Sequence, residues 1–338
     1  MDISYKPFLE RTPDSQYQDA LRAVFERGVR ASSAHETGSV TLMGQVNFCY
    51  HMSNGYPLIP DRNMDPPPSE KMPIPQWQQA KAEILAFING AHTQEELEKF
   101  GCLSFWRDTV TGEEGERKCK KRGLEVGDLG PASYGAVFGK FPLIEPKLLQ
   151  KIRHTLSPDA LTEFDAALRA LKVADGFNQV KAVLNQIKNE PKLRTHWIEP
   201  WYSPGIWRED QSVVVCPCHG WIHIRILDDG QLYYHMHQRS GDMVLGVPNN
   251  IVEHAGLALA FARATGYPLA QYSHSISDAH LYLNHMEAVE TLLSRPPRRL
   301  PTMKLREGVD DLFAIRREDF ILSDYFPHPG IGGIPLSV

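Results

Sequence analysis

Two thiols and an imidazole stand together in Cys216-Pro217-Cys218-His219, and Gln238-Arg239-Ser240 follows on what reads as the next strand. The chemistry such a group offers is nucleophilic attack by a thiolate, with a guanidinium nearby to hold an anion and lower the thiol's pKa. Alone, each residue has a plainer meaning: a cysteine in an apolar run is a small buried side chain, and an arginine is a surface ion pair. A zinc site is the competing reading, with His223 and His235 joining Cys216 and Cys218, and it predicts stoichiometric metal. The spacing counts against it, because zinc pairs come as C-x2-C on a knuckle rather than C-x-C along a strand.

These groups need a frame. The run VVVCPCHGWIHIRIL, the turn Asp228-Asp229-Gly230 and the run QLYYHMHQ read as a hairpin. On a strand, Cys216 and Cys218 share one side and His219 takes the other. Apolar residues at helical spacing predict helices over 17–29, 77–88, 161–171 and 180–187, with a short one over 94–100 behind an N-cap at Thr93. The first half is thus expected to be largely helical. Further helices are expected over 250–265, ended by Gly266, and 286–293, stopped before Pro296. Residues 59–75, with Pro66-Pro67-Pro68, form a connection, and the tail PHPGIGGIPLSV is too rich in proline and glycine for regular structure.

A chain of 338 residues with 42% hydrophobic content can bury a large core. Its net charge of -5 and pI near 6.3 give no cationic field, so nucleic acid and membrane surfaces are not expected partners. A small-molecule substrate fits better. The N-terminus has no signal-peptide pattern and no apolar run approaches a membrane span, so a cytoplasmic protein is expected. Five cysteines, an odd and sparse set, read as reduced thiols.

The segments AEILAFINGAHT, GDLGPASYG, VCPCHGWI, HQRSGDMVLGVPNNI, SDAHLYLNHMEAVETLLSR and the terminal PHPGI, in this order over most of the chain, resemble the thymidylate synthase family. The resemblance implies an α/β (α+β) fold, one domain over 1–338 around a large twisted mixed sheet, with an N-terminal arm (1–16) and a C-terminal closing tail (325–338). It also implies a homodimer formed through the sheet. The activity it implies is one-carbon transfer from 5,10-methylenetetrahydrofolate, without metal, to C5 of a pyrimidine nucleoside monophosphate.

By the same resemblance, Cys218 adds to C6 of the pyrimidine, Glu83 organises proton transfer and Tyr134 assists removal of the C5 proton. Asn250 reads the base edge. Arg239 and Ser240 bind the phosphate, helped by Arg194 reaching across the dimer, and His280 and Tyr282 bind the sugar hydroxyl. Asp242 holds the pterin ring, and Trp106 and the terminal Val338 also lie on the folate side.

The sequence departs from the family pattern at several of these contacts. Glu36 stands before Thr37-Gly38 where the family has a phosphate arginine, and Thr195 replaces the second of two adjacent arginines. Asn249 replaces an aromatic residue and Thr109 a tryptophan, which makes the pocket more polar. In this family hydride transfer to the exocyclic methylene intermediate gives a methyl group, whereas water gives hydroxymethyl. The polar changes therefore favour a hydroxymethylase acting on dUMP, dCMP or CMP over a thymidylate synthase making dTMP. Asn250 leans towards uracil. A catalytically silent nucleotide-binding homologue is a further alternative.

Overall fold

The computed structural model describes residues 3–32, 37–69, 72–144, 146–171, 176–207 and 211–336. Six strands form the main sheet: β1 (Val29–Ala31), β2 (Ser39–His51), β3 (Trp197–Ile198), β4 (Trp221–Ile226), β5 (Leu232–Asp242) and β6 (Leu269–Tyr282). Their order is β1-β2-β6-β5-β4-β3, antiparallel except for the pair β5/β6. This mixed sheet, packed with helices, is the expected α/β architecture. A two-stranded ribbon, β7 (Thr302–Leu305) and β8 (Phe320–Ser323), lies apart from it.

A parallel pair needs a crossover, and the helix Gly246–Thr265 supplies it. Its sequence is apolar nearly all round, and most of it is buried. It packs on the helix Gln76–Ile88, itself almost wholly buried. One sheet face feeds the same core through Val46, Phe48 and Tyr50 of β2, the isoleucines of β4, and Tyr234 and Met236 of β5. The helix Tyr134–Lys140 approaches the end of Gln76–Ile88 very closely. A Cβ on Gly135 would sit 1.8 Å from the Ala91 carbonyl oxygen, so the GPASYG motif needs glycine there to seat Tyr134.

Most helix expectations agree within a few residues, among them Gln94–Phe100, whose Thr93 and Glu96 form a capping box. Two expectations fail. The first half contains the 13-residue strand β2, so it is less helical than the pattern implied. Residues 212–220 form no strand, so Cys216 and Cys218 lie in a loop that leads into β4. Pro217 explains the second failure, since it cannot donate to a ladder. The segment 112–127 forms a helix, Glu113–Lys121, at its centre. The N-terminal arm is docked: Tyr5 Oη donates to the Met303 carbonyl at 2.8 Å and Arg11 to Leu300 and Thr302. Among the described residues no helix is long and apolar enough to cross a membrane.

Lys81 is an anomaly in this core. It is fully buried and its ammonium nitrogen has no hydrogen-bond partner, facing the rings of Trp77, Tyr56 and Phe320 at 4.7, 4.8 and 5.0 Å. Aromatic faces return about 2 kcal/mol to a desolvated cation, whereas desolvating it costs several. Burial therefore pushes the Lys81 pKa well below its usual value. The unfolded chain then binds a proton that the folded chain releases, so this group adds stability as pH rises towards 10.5, by at most about 1.4 kcal/mol per pH unit. Chemical denaturation from pH 7 to 9.5 should show Lys81→Met more stable than the wild type at pH 7, with that rise removed. Equal pH slopes in both proteins would contradict the assignment.

Candidate active site

A cavity of about 610 Å³ opens where β5 and β6 end beside the first turn of Gly246–Thr265. That volume suits a nucleotide-sized ligand. Its walls include Cys218, Glu83, Tyr134, Asn250, Arg239, Ser240, Asp242, His280, Tyr282 and Trp106, drawn from segments far apart in sequence. Arg194 is not among them: it is exposed beside β3, where its carbonyl oxygen lies 3.1 Å from His223 Nε2. Val338 and Glu36 lie outside the described residues.

Backbone and side-chain bonds together hold the thiol loop. The Tyr134 hydroxyl oxygen accepts from the backbone N–H of Cys218 at 2.5 Å and of His219 at 3.4 Å, and Arg239 N–H donates to the Cys218 carbonyl at 2.7 Å. The Arg239 guanidinium lies 3.4 Å from Cys218 Sγ, donates to the carbonyls of Cys216 and Pro217, and sits 5.7 Å from the centre of the Trp201 ring. Burial pushes the Cys218 thiol up, and the opposing pull of Arg239 does not overcome it. The expected lowered thiol pKa is thus reversed in the free protein, because a charge in an enclosed loop loses more hydration than one guanidinium restores.

Across the cavity lies a feature the sequence reading did not name. Glu253, one turn beyond Asn250 on the crossover helix, is hydrogen-bonded to Glu83, and both are buried. Burial raises both carboxyl pKa values, and the nearby Glu83 charge raises Glu253 further. Like charges this close cannot both ionise, so the pair carries one proton between its members. The Trp106 indole N–H donates to Glu83 Oε1. Asn250 Nδ2 donates to Glu253 Oε2 at 3.2 Å, and Gln238 Nε2 donates to Asn250 Oδ1 at 2.9 Å. A charged residue inside an otherwise apolar helix, NNIVEHAGLALAF, was the available signal for Glu253.

The zinc reading finds no support in this geometry. Among the described residues, the potential metal-ligand atoms that gather within 4.8 Å belong to His219, Glu253 and His254, not to the paired thiols with His223 and His235. His219 Nδ1 and His254 Nε2 are 2.8 Å apart in a direct hydrogen bond, with the Tyr234 hydroxyl 3.0 Å from His254 Nδ1. Burial lowers both histidines, His219 to about 3, so they form a neutral relay of hydrogen bonds.

The remaining walls are polar. Ser240 Oγ lies 3.4 Å from Asp278 Oδ2, and Asp278 is held below its usual pKa chiefly by His280, whose Nδ1 is 3.6 Å from Asp278 Oδ1. Asp242 Oδ1 accepts from Val244 N–H at 2.9 Å. At the mouth, the C-terminal segment is tied down by His285 Nε2 against the Pro335 carbonyl at 2.8 Å, and Leu336 reaches the lining. Lys118 and Arg122, also unanticipated, enter from the segment of helix Glu113–Lys121. Thr109 and Asn249 line the cavity as well; Asn249 Nδ2 donates to the Leu245 carbonyl, while its buried Oδ1 has no protein partner. Compared with known families, residues 15–336 match the model described as thymidylate synthase.

Proposed function

The chain belongs to the thymidylate synthase family, and from that premise we propose that it is a pyrimidine nucleotide hydroxymethylase. The family carries out folate-dependent one-carbon transfer to C5 of a pyrimidine nucleotide, with methylenetetrahydrofolate as co-substrate. The product and the residue roles are our reading. The observation behind the product is Asn249, a residue of the cavity wall, as Thr109 is, whose Oδ1 is buried and unpartnered. A buried acceptor without a partner is costly, and a bound water donating to it relieves that cost.

In this reading the substrate is a nucleoside monophosphate, dUMP, dCMP or CMP. Its phosphate lies on Arg239 and Ser240, joined in a homodimer by the partner's copy of the exposed Arg194, and its sugar hydroxyl on His280 and Tyr282. Cys218 forms a bond to C6 as the C5=C6 electrons move into the ring, and Tyr134 positions the thiol through its backbone contacts. The folate supplies the one-carbon unit, seated against Trp106, Asp242 and the tail that ends at Val338; an aromatic face and a carboxylate suit a pterin. C5 bonds to the one-carbon unit, the C5 proton leaves through Tyr134, and the bond from that carbon to the folate nitrogen breaks, releasing tetrahydrofolate; water held by Asn249 then adds to the exocyclic methylene that remains. The electrons return to the ring and the C6–S bond breaks.

Mass spectrometry of products from methylenetetrahydrofolate with dUMP, UMP, dCMP or CMP tests this. A 5-hydroxymethyl nucleotide with tetrahydrofolate released is expected; a methylated nucleotide with dihydrofolate would overturn it. Asn249→Phe, which removes the acceptor and fills the space, should shift the product ratio towards methyl by about tenfold or more, the equivalent of one lost hydrogen bond to water.

A further inference from the structure

The orientation of Asn250 can be read atom by atom. The Ser240 carbonyl can only accept, so the Gln238 atom 2.8 Å from it is Nε2. That nitrogen also faces Asn250 at 2.9 Å, which makes the facing atom Oδ1 and leaves Nδ2 turned to Glu253 Oε2 at 3.2 Å. His274 closes the chain from the other end, its Nε2 lying 2.8 Å from Gln238 Oε1. An asparagine free to rotate could present donor and acceptor in either order and so read uracil or cytosine. Here the order is locked.

The carboxyl pair completes the wall. The proton shared by Glu83 and Glu253 is engaged between them. Glu83 Oε1 already accepts from Trp106 and Glu253 Oε2 from Asn250, so with that proton engaged the pair shows a ligand lone pairs only. Asn250 keeps one free N–H on the side of Glu253. The two pyrimidines differ at position 4, where uracil carries an accepting carbonyl and cytosine a donating amino group, and at N3, which donates in uracil and accepts in cytosine. Against this wall cytosine gives its amino hydrogens to the carboxyl oxygens and receives the Asn250 N–H at N3. Uracil would set its carbonyl against lone pairs and its N3–H against the amide N–H.

We propose that Glu253 makes this a cytosine-selecting site, with a cytidine or deoxycytidine monophosphate as the substrate. The assignment rests on the cavity being the pyrimidine nucleotide site and names its base, reversing the lean towards uracil that Asn250 alone gives. An extra carboxylate one turn along the helix changes what the same asparagine reads.

Calorimetric titration of the full chain with CMP, UMP, dCMP and dUMP, without folate, tests it. The cytosine member of each pair should bind more tightly by about tenfold or more, the ratio set by one mismatched buried polar group. Glu253→Gln keeps the shape but gives the wall a donor, so it should erase or invert that ratio. A ratio is insensitive to general loss of fold, which lowers both affinities. Tighter uracil binding by the wild type, or an unchanged ratio in Glu253→Gln, would overturn the base assignment while leaving the nucleotide site intact. Failure of all four to bind would overturn the site reading itself, and the methyl or hydroxymethyl outcome is read separately from product mass.

Discussion

Cys218→Ala is expected to lower turnover by about 10⁴-fold or more, the scale on which removing a nucleophile acts. Nucleotide affinity should change little, because the thiol's own bonds in the free protein are weak contacts with Cys216 and Arg239 at 3.5 and 3.4 Å. The same environment predicts a pH dependence. Burial holds the thiol above its usual pKa and protonated at neutral pH, so alkylation of Cys218 by iodoacetamide should be slow at pH 7 and climb through the alkaline range. Arg239 opposes that burial, so Arg239→Ala should shift the climb to still higher pH. Turnover that survives Cys218→Ala would remove Cys218 from its assigned role, whereas a thiol alkylated rapidly at pH 6 would contradict the burial that holds it protonated.

Why the thiol stood out in the sequence while its setting did not follows from the range of the forces involved. Local signals were legible where they are strong: the Thr93 cap, the apolar periods of Gln76–Ile88 and Gln179–Asn189, and the stop at Gly266, whose φ is 78°. The strand β2 was hidden because its register shifts between Met43 and Val46, at Gly44 with φ 68°, so alternation breaks in mid-strand. The strand expected through Cys216 and Cys218 was a pattern of valines with a proline in it, and the proline decided the outcome.

The site divides in the same way. Ten residues named from segment resemblance line one cavity, brought together from strand ends, helices and the loop of Cys218. Glu253 escaped notice because its meaning is a pairing with Glu83, 170 positions away in sequence, that a local pattern cannot display. The net direction of the Cys218 pKa was likewise illegible, since it is set by the depth of a loop rather than by the identity of its neighbours.

Glu83→Gln should move activity and stability in opposite directions. Turnover should fall about 10²–10⁴-fold, because a carboxyl group that gives and takes a proton is replaced by an amide that cannot. Stability should rise. The pair keeps a proton in the folded chain that the unfolded chain gives up above 4.5, so the wild type loses stability as pH rises from there through the raised range of the pair. Glutamine still accepts from Trp106 and can donate to Glu253, which leaves one buried carboxylate with an uncharged neighbour. Denaturation from pH 5 to 8 should therefore show a higher midpoint in Glu83→Gln and a shallower decline with pH, while steady-state assays show the loss of rate. A variant that lost stability together with activity would mean that the pair is a structural ion cluster; a gain in stability with loss of turnover is the expected signature of a strained carboxyl pair kept for proton transfer.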